Sequence, residues 1–225
     1  MEDGLLMLKP GAHIPCQYMA REARTVGDMF MRRVQRSRVS PAAYVKKGGR
    51  WVDVTWGELS SQVRAAARGM RDLGAKPGDR IAILGPTTVT WGSYDTAAQL
   101  CGLVSFGIYP KQSIEQIRDL LSHSEAVMVL VDEEEELDNV LAACEGLEHV
   151  RAIVPWSQAT YAKTHARDSR IKSPETLAGE ELDGDTIGTI QKDIDPEARA
   201  NLVYTSTSCR SWGRSRSCSI STRTT

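Results

Sequence analysis

The sequence predicts an α/β fold in which a mostly parallel sheet carries helices on both faces. Short apolar runs alternate with helix-length amphipathic segments along residues 80–154, and turn residues separate them. Strands that are joined by helices run parallel, and the joining helices cover both faces of the sheet. The clearest strand, Arg80–Leu84, is short and apolar enough to be buried on both faces. We therefore predict an α/β unit over residues 25–206, preceded by an irregular segment over residues 1–24.

The first predicted elements are a helix, a hairpin and a second helix. The segment 25–38 is predicted to be helical because apolar residues recur at helical spacing, namely Val26, Met29, Phe30 and Val34. Extended runs at 42–46 and 50–54 flank Gly48 and Gly49, whose positive φ angles suit a tight hairpin turn. The second helix starts at a capping box and ends at Gly74. The box is Thr55-x-x-Glu58, and the apolar positions behind it are Leu59, Val63, Ala66, Met70 and Leu73.

The predicted sheet follows from residue 76 onward. Lys76-Pro77-Gly78-Asp79 has the composition of a turn, and strand 80–84 comes directly after it. Helices are then predicted at 89–104, 113–122 and 134–144, and strands at 106–109, 126–131 and 150–154. Residues 156–193 have weak periodicity and many polar side chains, which predicts a surface segment with one helix. Residues 201–204 form the last predicted strand.

The composition changes abruptly after Ser206. Residues 207–225 are mostly Ser, Thr and Arg, with no acidic side chain and few apolar ones. Such a segment cannot bury enough apolar surface to offset the entropy cost of ordering. We therefore predict a disordered tail over residues 207–225. Its Arg and Ser content resembles a nucleic-acid-binding or phosphorylation segment, but our hypothesis is an out-of-frame or mis-joined end, which explains the sudden break better.

Composition and charge narrow the function classes. The 225 residues are 41% hydrophobic and 25% charged with a formal net charge of −1, as in globular proteins. Because basic and acidic residues are mixed along the chain, no nucleic-acid partner is predicted. Five widely spaced cysteines without a C-x-x-C pair indicate neither a disulfide framework nor a zinc site, and suit the cytoplasm. The most apolar run, 97–109, is shorter than the roughly 20 residues that span a bilayer, which leaves peripheral membrane contact open.

No side chain stands out as catalytic or metal-ligating. The four histidines are far apart and pair with no suitably placed Cys or Asp. His123 lies beside Ser124 and Glu125, but triad members come from separate segments. The acidic run 132–136 is predicted to be a solvated helix start, because consecutive carboxylates point in different directions. Cys101 is predicted to be a small buried hydrophobe.

Several blocks together resemble the N-terminal part of the AMP-forming acyl-CoA synthetases, members of the adenylate-forming superfamily. The series, rather than any single block, carries the resemblance. In order the blocks are Val54-Thr-Trp-Gly-Glu-Leu59, Gly74-Ala-Lys-Pro-Gly-Asp-Arg-Ile-Ala-Ile-Leu84, Gly85-Pro-Thr with Trp91, Gly107-Ile-Tyr-Pro110, His123-Ser-Glu-Ala126 and Ala200-Asn-Leu-Val-Tyr-Thr-Ser206. Gly107-Ile-Tyr-Pro110, with Trp51 ahead of Trp56, is similar to the long-chain fatty acid:CoA ligase branch.

The resemblance implies a site and a reaction. In this family Tyr-Thr-Ser opens a glycine-rich loop that holds the ATP phosphates, so Thr205 and Ser206 are the implied nucleotide-binding residues. The implied substrates are a fatty acid, ATP and CoA, with Mg²⁺ as cofactor. Thr207-Ser-Cys-Arg-Ser-Trp replaces the family's Gly-Thr-Thr-Gly-x-Pro-Lys-Gly. The resemblance therefore predicts a chain that is truncated at the phosphate loop, lacks the later catalytic residues and is inactive alone.

Two other function classes compete with this interpretation. A non-catalytic interaction or regulatory fragment would bind a partner through sheet surface that further chain would otherwise cover. Monodisperse behaviour of the chain in solution, together with selective capture of one partner, would favour this interaction class. A dinucleotide-binding dehydrogenase domain is disfavoured because no G-x-G-x-x-G follows any predicted strand.

Overall fold

A helix and a hairpin form the start of the computed structural model, which describes residues 23–204 and 218–221. Helix α1 covers Val26–Ser37, strand β1 Pro41–Lys47 and strand β2 Arg50–Thr55. The two strands pair in antiparallel register as a separate two-stranded sheet. Thr25 caps α1 by accepting a hydrogen bond from the Asp28 backbone N–H at 3.0 Å. The predicted helix and hairpin are thus both present.

The main sheet has six strands, of which five run parallel. They are β3 (Arg80–Leu84), β4 (Val104–Ile108), β5 (Met128–Val131), β6 (Ala152–Pro155), β7 (Arg199–Val203) and β8 (Cys218–Ser221). Their order across the sheet is β6-β5-β3-β4-β7-β8, and β8 alone is antiparallel to its neighbour. The predicted α/β class with a mostly parallel sheet is confirmed.

Helices cover both faces of this sheet. They are α2 (Trp56–Asp72), α3 (Val89–Leu100), α4 (Ile114–Ser124), α5 (Glu134–Ala143), α6 (Gln158–Thr164), a 3₁₀ helix (Pro174–Leu177) and α7 (Gly184–Asp193). Alternate side chains of β3 enter two different cores. Ile81 and Ile83 pack with α2, α3 and α7, whereas Ala82 and Leu84 pack with α4 and α5. Both faces are therefore buried, as the apolar strand sequence predicts.

Two local predictions are confirmed in detail. The Thr55 hydroxyl accepts from the Glu58 N–H at 3.2 Å, and the Glu58 carboxylate accepts from the Thr55 N–H at 2.8 Å, which completes the capping box. Residues 76–79 form a turn in which the Asp79 N–H donates to the Lys76 carbonyl at 2.9 Å. This turn fixes the entry of the chain into β3.

The region between β6 and β7 differs from its prediction as a surface segment with one helix. It contains α6, the 3₁₀ helix and α7, and Leu177 and Leu182 are almost completely buried. Two hydrogen bonds join Leu182 to Arg64 of α2. The Leu182 N–H donates to the Arg64 carbonyl at 3.1 Å, and the Arg64 guanidinium donates to the Leu182 carbonyl at 2.6 Å. The buried Gln191 side chain donates to the Leu100 carbonyl at 2.9 Å. Long-range contacts thus bury parts of the segment between β6 and β7. Its weak hydrophobic periodicity did not predict this burial.

Helix α3 ends earlier than predicted. It stops at Leu100, and β4 begins at Val104, whereas the sequence placed the helix end at 104 and the strand at 106. Gly102 has a φ of +67°, a left-handed conformation that ends the helix. Because apolar residues lie on both sides of Gly102, the composition alone could not locate the end of α3 or the start of β4.

Part of the predicted disordered tail is ordered in the structure. Cys218–Ser221 forms β8 and pairs with β7 over four residue pairs, from Arg199↔Ser221 to Val203↔Cys218. Pairing with an open sheet edge satisfies backbone groups without requiring apolar side chains. Residues 205–217 and 222–225, like 1–22, lie outside the described part of the chain, so the remaining predictions for these segments concern residues that are not described.

Candidate functional site

The carboxyl ends of β3, β4 and β7 surround a cavity of about 350 Å³. Ligands of open α/β sheets bind outside the carboxyl ends of the strands. The lining includes Gly85 after β3, Tyr109 after β4 and Tyr204 after β7, with Trp91 contributed by α3. Tyr109 is 75% exposed at the rim of the cavity. This edge of the sheet is also where the chain leaves β7 toward the predicted phosphate loop.

A buried polar network holds β7 beside β4. The Asn201 side-chain amide donates to Ser105 Oγ at 2.7 Å and to Asp95 Oδ1 at 3.0 Å. The Ser105 hydroxyl in turn donates to Asp95, and the Gln99 amide reaches the Ala200 carbonyl at 3.0 Å. Ser105 and Gln99 are buried, so each polar group depends on these partners. Helix α3 therefore fixes the position of β7 and of the residues that follow it.

Tyr204 is anchored on the opposite face of the sheet. Its ring packs edge-on against Phe106 with a centroid distance of 5.5 Å, and its hydroxyl lies 2.9 Å from His123 Nδ1. The next residues are Thr205 and Ser206. They lie outside the described residues, so their assignment to the phosphate loop stays a prediction. The anchored tyrosine nevertheless defines where this loop starts.

The contact between His123 and Tyr204 was missed by the sequence analysis. The two residues are 81 positions apart, and no local pattern links them. In the sequence His123 lies beside Ser124 and Glu125, whereas in the structure its partner is Tyr204, which follows β7. Two other histidines bond to main-chain carbonyls, His149 to Leu121 at 3.1 Å and His165 to Tyr161 at 3.1 Å.

A second cluster of aromatic and acidic groups lies at the ends of β3, β5 and β6. The Trp156 indole approaches Gly85 so closely that an added Cβ would lie 2.5 Å from the ring. Tyr94 packs edge-on against Trp156 at 5.7 Å between ring centroids. Burial, together with the nearby Asp132 charge, raises the pKa of Tyr94 to about 12. Burial and the adjacent Glu133 raise the pKa of Asp132. The cluster closes this part of the edge, so the open cavity lies toward β4 and β7.

The acidic run after β5 is only partly solvated, in contrast to the prediction. Glu133, Glu134 and Glu135 are exposed, but Glu136 is buried and its Oε1 accepts from the Lys111 N–H at 2.6 Å. Lys111 has a φ of +66°, a turn conformation that presents its N–H to the carboxylate. Glu136 therefore braces the turn after β4. Within residues 23–204 and 218–221, no group of three His, Cys, Asp or Glu side chains could hold a metal ion.

The buried thiol was predicted correctly. Cys101 is 1% exposed, and its Sγ lies 3.4 Å from the Ala67 carbonyl oxygen. Burial raises its pKa to about 12, which keeps it protonated and unreactive at neutral pH. It therefore behaves as a packing residue, not as a nucleophile.

A larger cavity of about 1170 Å³ lies at the opposite edge of the sheet. It is lined near the amino ends of β3, β4 and β7 by Arg80, Val104 and Arg199, and by α7 residues such as Asp185 and Asp193. Charges of both signs are mixed in this lining. Because ligands of parallel sheets bind at the carboxyl edge, size alone does not make this cavity the site. We assign the functional site to the smaller cavity.

Comparison with known proteins agrees with this geometry. The family model described as "AMP-binding enzyme" matches residues 30–208. The long-chain-fatty-acid–CoA ligase FadD15 of Mycobacterium bovis is 42% identical over 84 residues, which are 37% of this chain and 14% of that protein. The long-chain-fatty-acid–CoA ligase ACSBG2 of Xenopus laevis is 25% identical over 183 residues, covering 81% of this chain and 24% of the relative. The chain thus spans less than a third of the length of these relatives.

Solved structures share the fold. The A-PCP didomain of a carboxylic acid reductase from Segniliparus rugosus, in complex with AMP, superposes with a TM-score of 0.67 at 14% identity. The match covers 88% of this chain and 31% of that one. A putative long-chain-fatty-acid CoA ligase from Rhodopseudomonas palustris superposes with a TM-score of 0.67 at 17% identity, covering 88% of this chain and 44% of that one. These similarities establish the α/β architecture of this chain.

Proposed function

Because the chain belongs to the AMP-binding enzyme family, we propose that it provides the start of the nucleotide-binding domain of a long-chain fatty acid:CoA ligase. The observation that carries this proposal is the position of Tyr204. Tyr204 follows β7 at the carboxyl edge of the sheet, directly before Thr205 and Ser206, and its side chain is held by contacts with Phe106 and His123. The long-chain ligases among the relatives support the substrate class.

The proposed reaction has two steps. A fatty acid carboxylate oxygen attacks the α-phosphorus of ATP, which forms an acyl-adenylate and releases pyrophosphate. The thiol of CoA then attacks the acyl carbon, forms the thioester and releases AMP. In this proposal the hydroxyls of Thr205 and Ser206 bind phosphate oxygens of ATP at the start of the loop. We propose a cytoplasmic location, which the free thiols of Cys101 and Cys144 favour.

The residues described here do not provide a complete catalytic centre. Magnesium belongs to the proposed reaction, but the described residues include no group of three ligands for a metal ion, so we assign no step to it. The sequence after Ser206 lacks the glycines that let a backbone approach phosphates closely. We therefore propose that the chain of 225 residues does not turn over substrate alone.

The coding DNA provides the first test. We expect a shifted frame after the Ser206 codon to encode Gly-Thr-Thr-Gly and a synthetase continuation. The product of that frame should release AMP in the presence of ATP, CoA and palmitate. Acetate in place of palmitate is the matched control and should give little AMP. Preference for acetate would contradict the long-chain assignment, and the absence of any such frame would contradict the ligase proposal.

A binding measurement tests the loop itself. Replacing residues 207–214 by Gly-Thr-Thr-Gly-Ser-Pro-Lys-Gly should strengthen ATP binding, because backbone N–H groups and a lysine would then face the phosphates. Titration calorimetry of the grafted and unaltered chains measures the change. Thr205→Ala with Ser206→Ala in the grafted chain should reverse the gain. Equal ATP affinity in all three proteins would exclude Thr205 and Ser206 from phosphate binding.

A further inference from the structure

We propose that the β1–β2 hairpin, together with the end of α1, is a docking surface for an anionic lipid bilayer. We call this region the basic hairpin surface and define it by four apolar or aromatic and four basic side chains. All eight are exposed. They are Val39, Tyr44, Trp51 and Val52, and Arg38, Lys46, Lys47 and Arg50.

The hairpin exposes aromatic side chains next to cations. Trp51 is 70% exposed and Tyr44 is 62% exposed. Strand register pairs Lys46 with Trp51, and directly paired residues project from the same face. Tyr44 lies two residues from Lys46 in β1 and so projects from that face as well. One face of the hairpin therefore carries an indole, a phenol and an ammonium group in contact with solvent, together with the exposed Asp53 carboxylate opposite Tyr44. Lys47, Arg50 and Val52 project from the other face.

Basic residues are concentrated in this part of the chain. Between Met29 and Val52 the sequence has seven basic side chains and no acidic one, although the whole chain has a formal charge of −1. The rest of the chain is therefore acidic. This concentration is hidden in the whole-chain composition, which predicted an even mixture of charges.

The cations of the hairpin are not held in ion pairs by the described part of the chain. Lys46, Lys47 and Arg50 form no ion pair with any residue in the described ranges 23–204 and 218–221. Lys47 contributes electrostatically to the lowered pKa of Glu58 but does not pair with it. The three charges are thus free to attract an external anion.

This combination fits a bilayer better than a nucleic acid. Amphipathic Trp and Tyr rings prefer the boundary between headgroups and acyl chains, and cations beside them bind anionic headgroups. Val39 and Val52, which are 86% and 40% exposed, add apolar surface that a phosphate backbone does not require. An anionic lipid surface would bind the basic side chains through its headgroups and the apolar side chains through the adjoining acyl region.

The hairpin also lies close to the functional edge of the sheet. A cavity of about 600 Å³ separates β1 from the start of α3 and is lined by Tyr44, Val45, Thr87 and Thr88. Thr87 also lines the cavity at the carboxyl ends of β3, β4 and β7. Docking would therefore bring the bilayer near that site. The use of this proximity to collect a fatty acid rests on the proposed function, whereas docking itself does not.

Co-sedimentation with vesicles tests the docking proposal. The full chain should bind vesicles made of equal parts phosphatidylcholine and phosphatidylglycerol, and should not bind vesicles of phosphatidylcholine alone. Lys46→Gln, Lys47→Gln and Arg50→Gln combined should weaken binding roughly a hundredfold, because each cation near an anionic surface contributes about a fivefold factor. The control combines Lys76→Gln, Lys163→Gln and Lys192→Gln, which removes three exposed charges elsewhere and should leave most of the binding.

Trp51→Ser is a second variant that keeps every charge. It should weaken vesicle binding roughly tenfold, because it removes the largest interfacial side chain. Circular dichroism should show unchanged folding, since all substituted side chains are exposed. Failure of the unaltered chain to bind anionic vesicles, or equal losses in the hairpin and control variants, would overturn the proposal. Tighter binding to a single-stranded polynucleotide than to the anionic vesicles would also overturn it. None of these results depends on ligase activity.

Discussion

Gly85 is the residue at which β3 meets the aromatic cluster. It follows directly after the strand, and the Trp156 ring occupies the space where a side chain would project. An added Cβ would lie 2.5 Å from Trp156 and 3.0 Å from the Asp132 Cβ. The indole is itself packed against Tyr94 and has little freedom to move away. A glycine is thus required here by close approach of a neighbouring ring.

We expect Gly85→Ala to destabilise the domain by about 1–3 kcal/mol, the range for overpacking a filled core. Urea unfolding followed by circular dichroism measures this loss. Gly92→Ala is the matched control because its Cβ would contact nothing within 4 Å and Gly92 lies within α3. The control should stabilise the protein by up to about 1 kcal/mol through helix propensity. A loss in Gly85→Ala no greater than the change in the control would contradict the packing argument.

At the scale of elements, the capping box joins the hairpin to α2. Thr55 is the last residue of β2, and its side chain and N–H both bond to Glu58 in the first turn of α2. The Thr55 N–H and the Thr55 hydroxyl each donate to the Glu58 carboxylate at 2.8 Å, and these two hydrogen bonds are the largest contributions to the lowered pKa of Glu58. Lys47 adds a smaller contribution. A carboxyl whose pKa is lowered by folding stabilises the fold above its usual pKa, and this contribution is lost as the pH falls.

We expect Thr55→Ala to cost about 1 kcal/mol at neutral pH, the typical value for removing an N-cap side chain. The cost should shrink on acidification, because protonated Glu58 accepts hydrogen bonds more weakly in the unaltered protein. Denaturant unfolding of both proteins across the acid range measures the difference. Glu58→Gln keeps a neutral acceptor in the box, so the cost of Thr55→Ala in this background should be independent of pH. A pH-independent cost in the presence of Glu58 would refute the role assigned to the carboxylate.

At the scale of the whole molecule, local sequence signals predicted most elements but not their long-range contacts. Strand β3 was predicted at its observed bounds because a turn precedes it and its apolar residues form an uninterrupted run. Helix α7 was not, since its burial depends on Gln191 and a few isoleucines that meet α3 only after folding. The anchoring of Tyr204 by His123 has the same origin. Contacts between distant segments leave no periodic pattern in the chain.

Among the described side chains, each of the two cores contains one buried thiol. Cys101 belongs to the core formed with α2, α3 and α7, and Cys144 to the core formed with α4 and α5. Burial raises the pKa of Cys101 from 9.0 to about 12 and that of Cys144 from 9.0 to about 11. Burial also raises the pKa of Tyr94 from 10.0 to about 12. Because these groups lose their protons at lower pH in the unfolded chain, their contribution to the free energy of unfolding is fully present below their unfolded pKa values. This contribution is lost as the pH rises through their folded pKa values.

We therefore expect alkaline destabilisation to begin near pH 9, where the free thiols of an unfolded chain titrate. Each thiol should contribute a slope of about 1.4 kcal/mol per pH unit until its folded pKa is approached. Urea midpoints measured under reducing conditions at constant ionic strength follow this slope. The double variant Cys101→Ala with Cys144→Ala should be less stable overall, because it leaves small cavities. It should nevertheless lose most of the dependence of stability on pH between pH 9, the unfolded pKa of the thiols, and pH 10, the unfolded pKa of Tyr94. The Tyr94 contribution should remain above that range. An unchanged slope in the double variant would mean that the two thiols are not the groups whose burial couples both cores to pH.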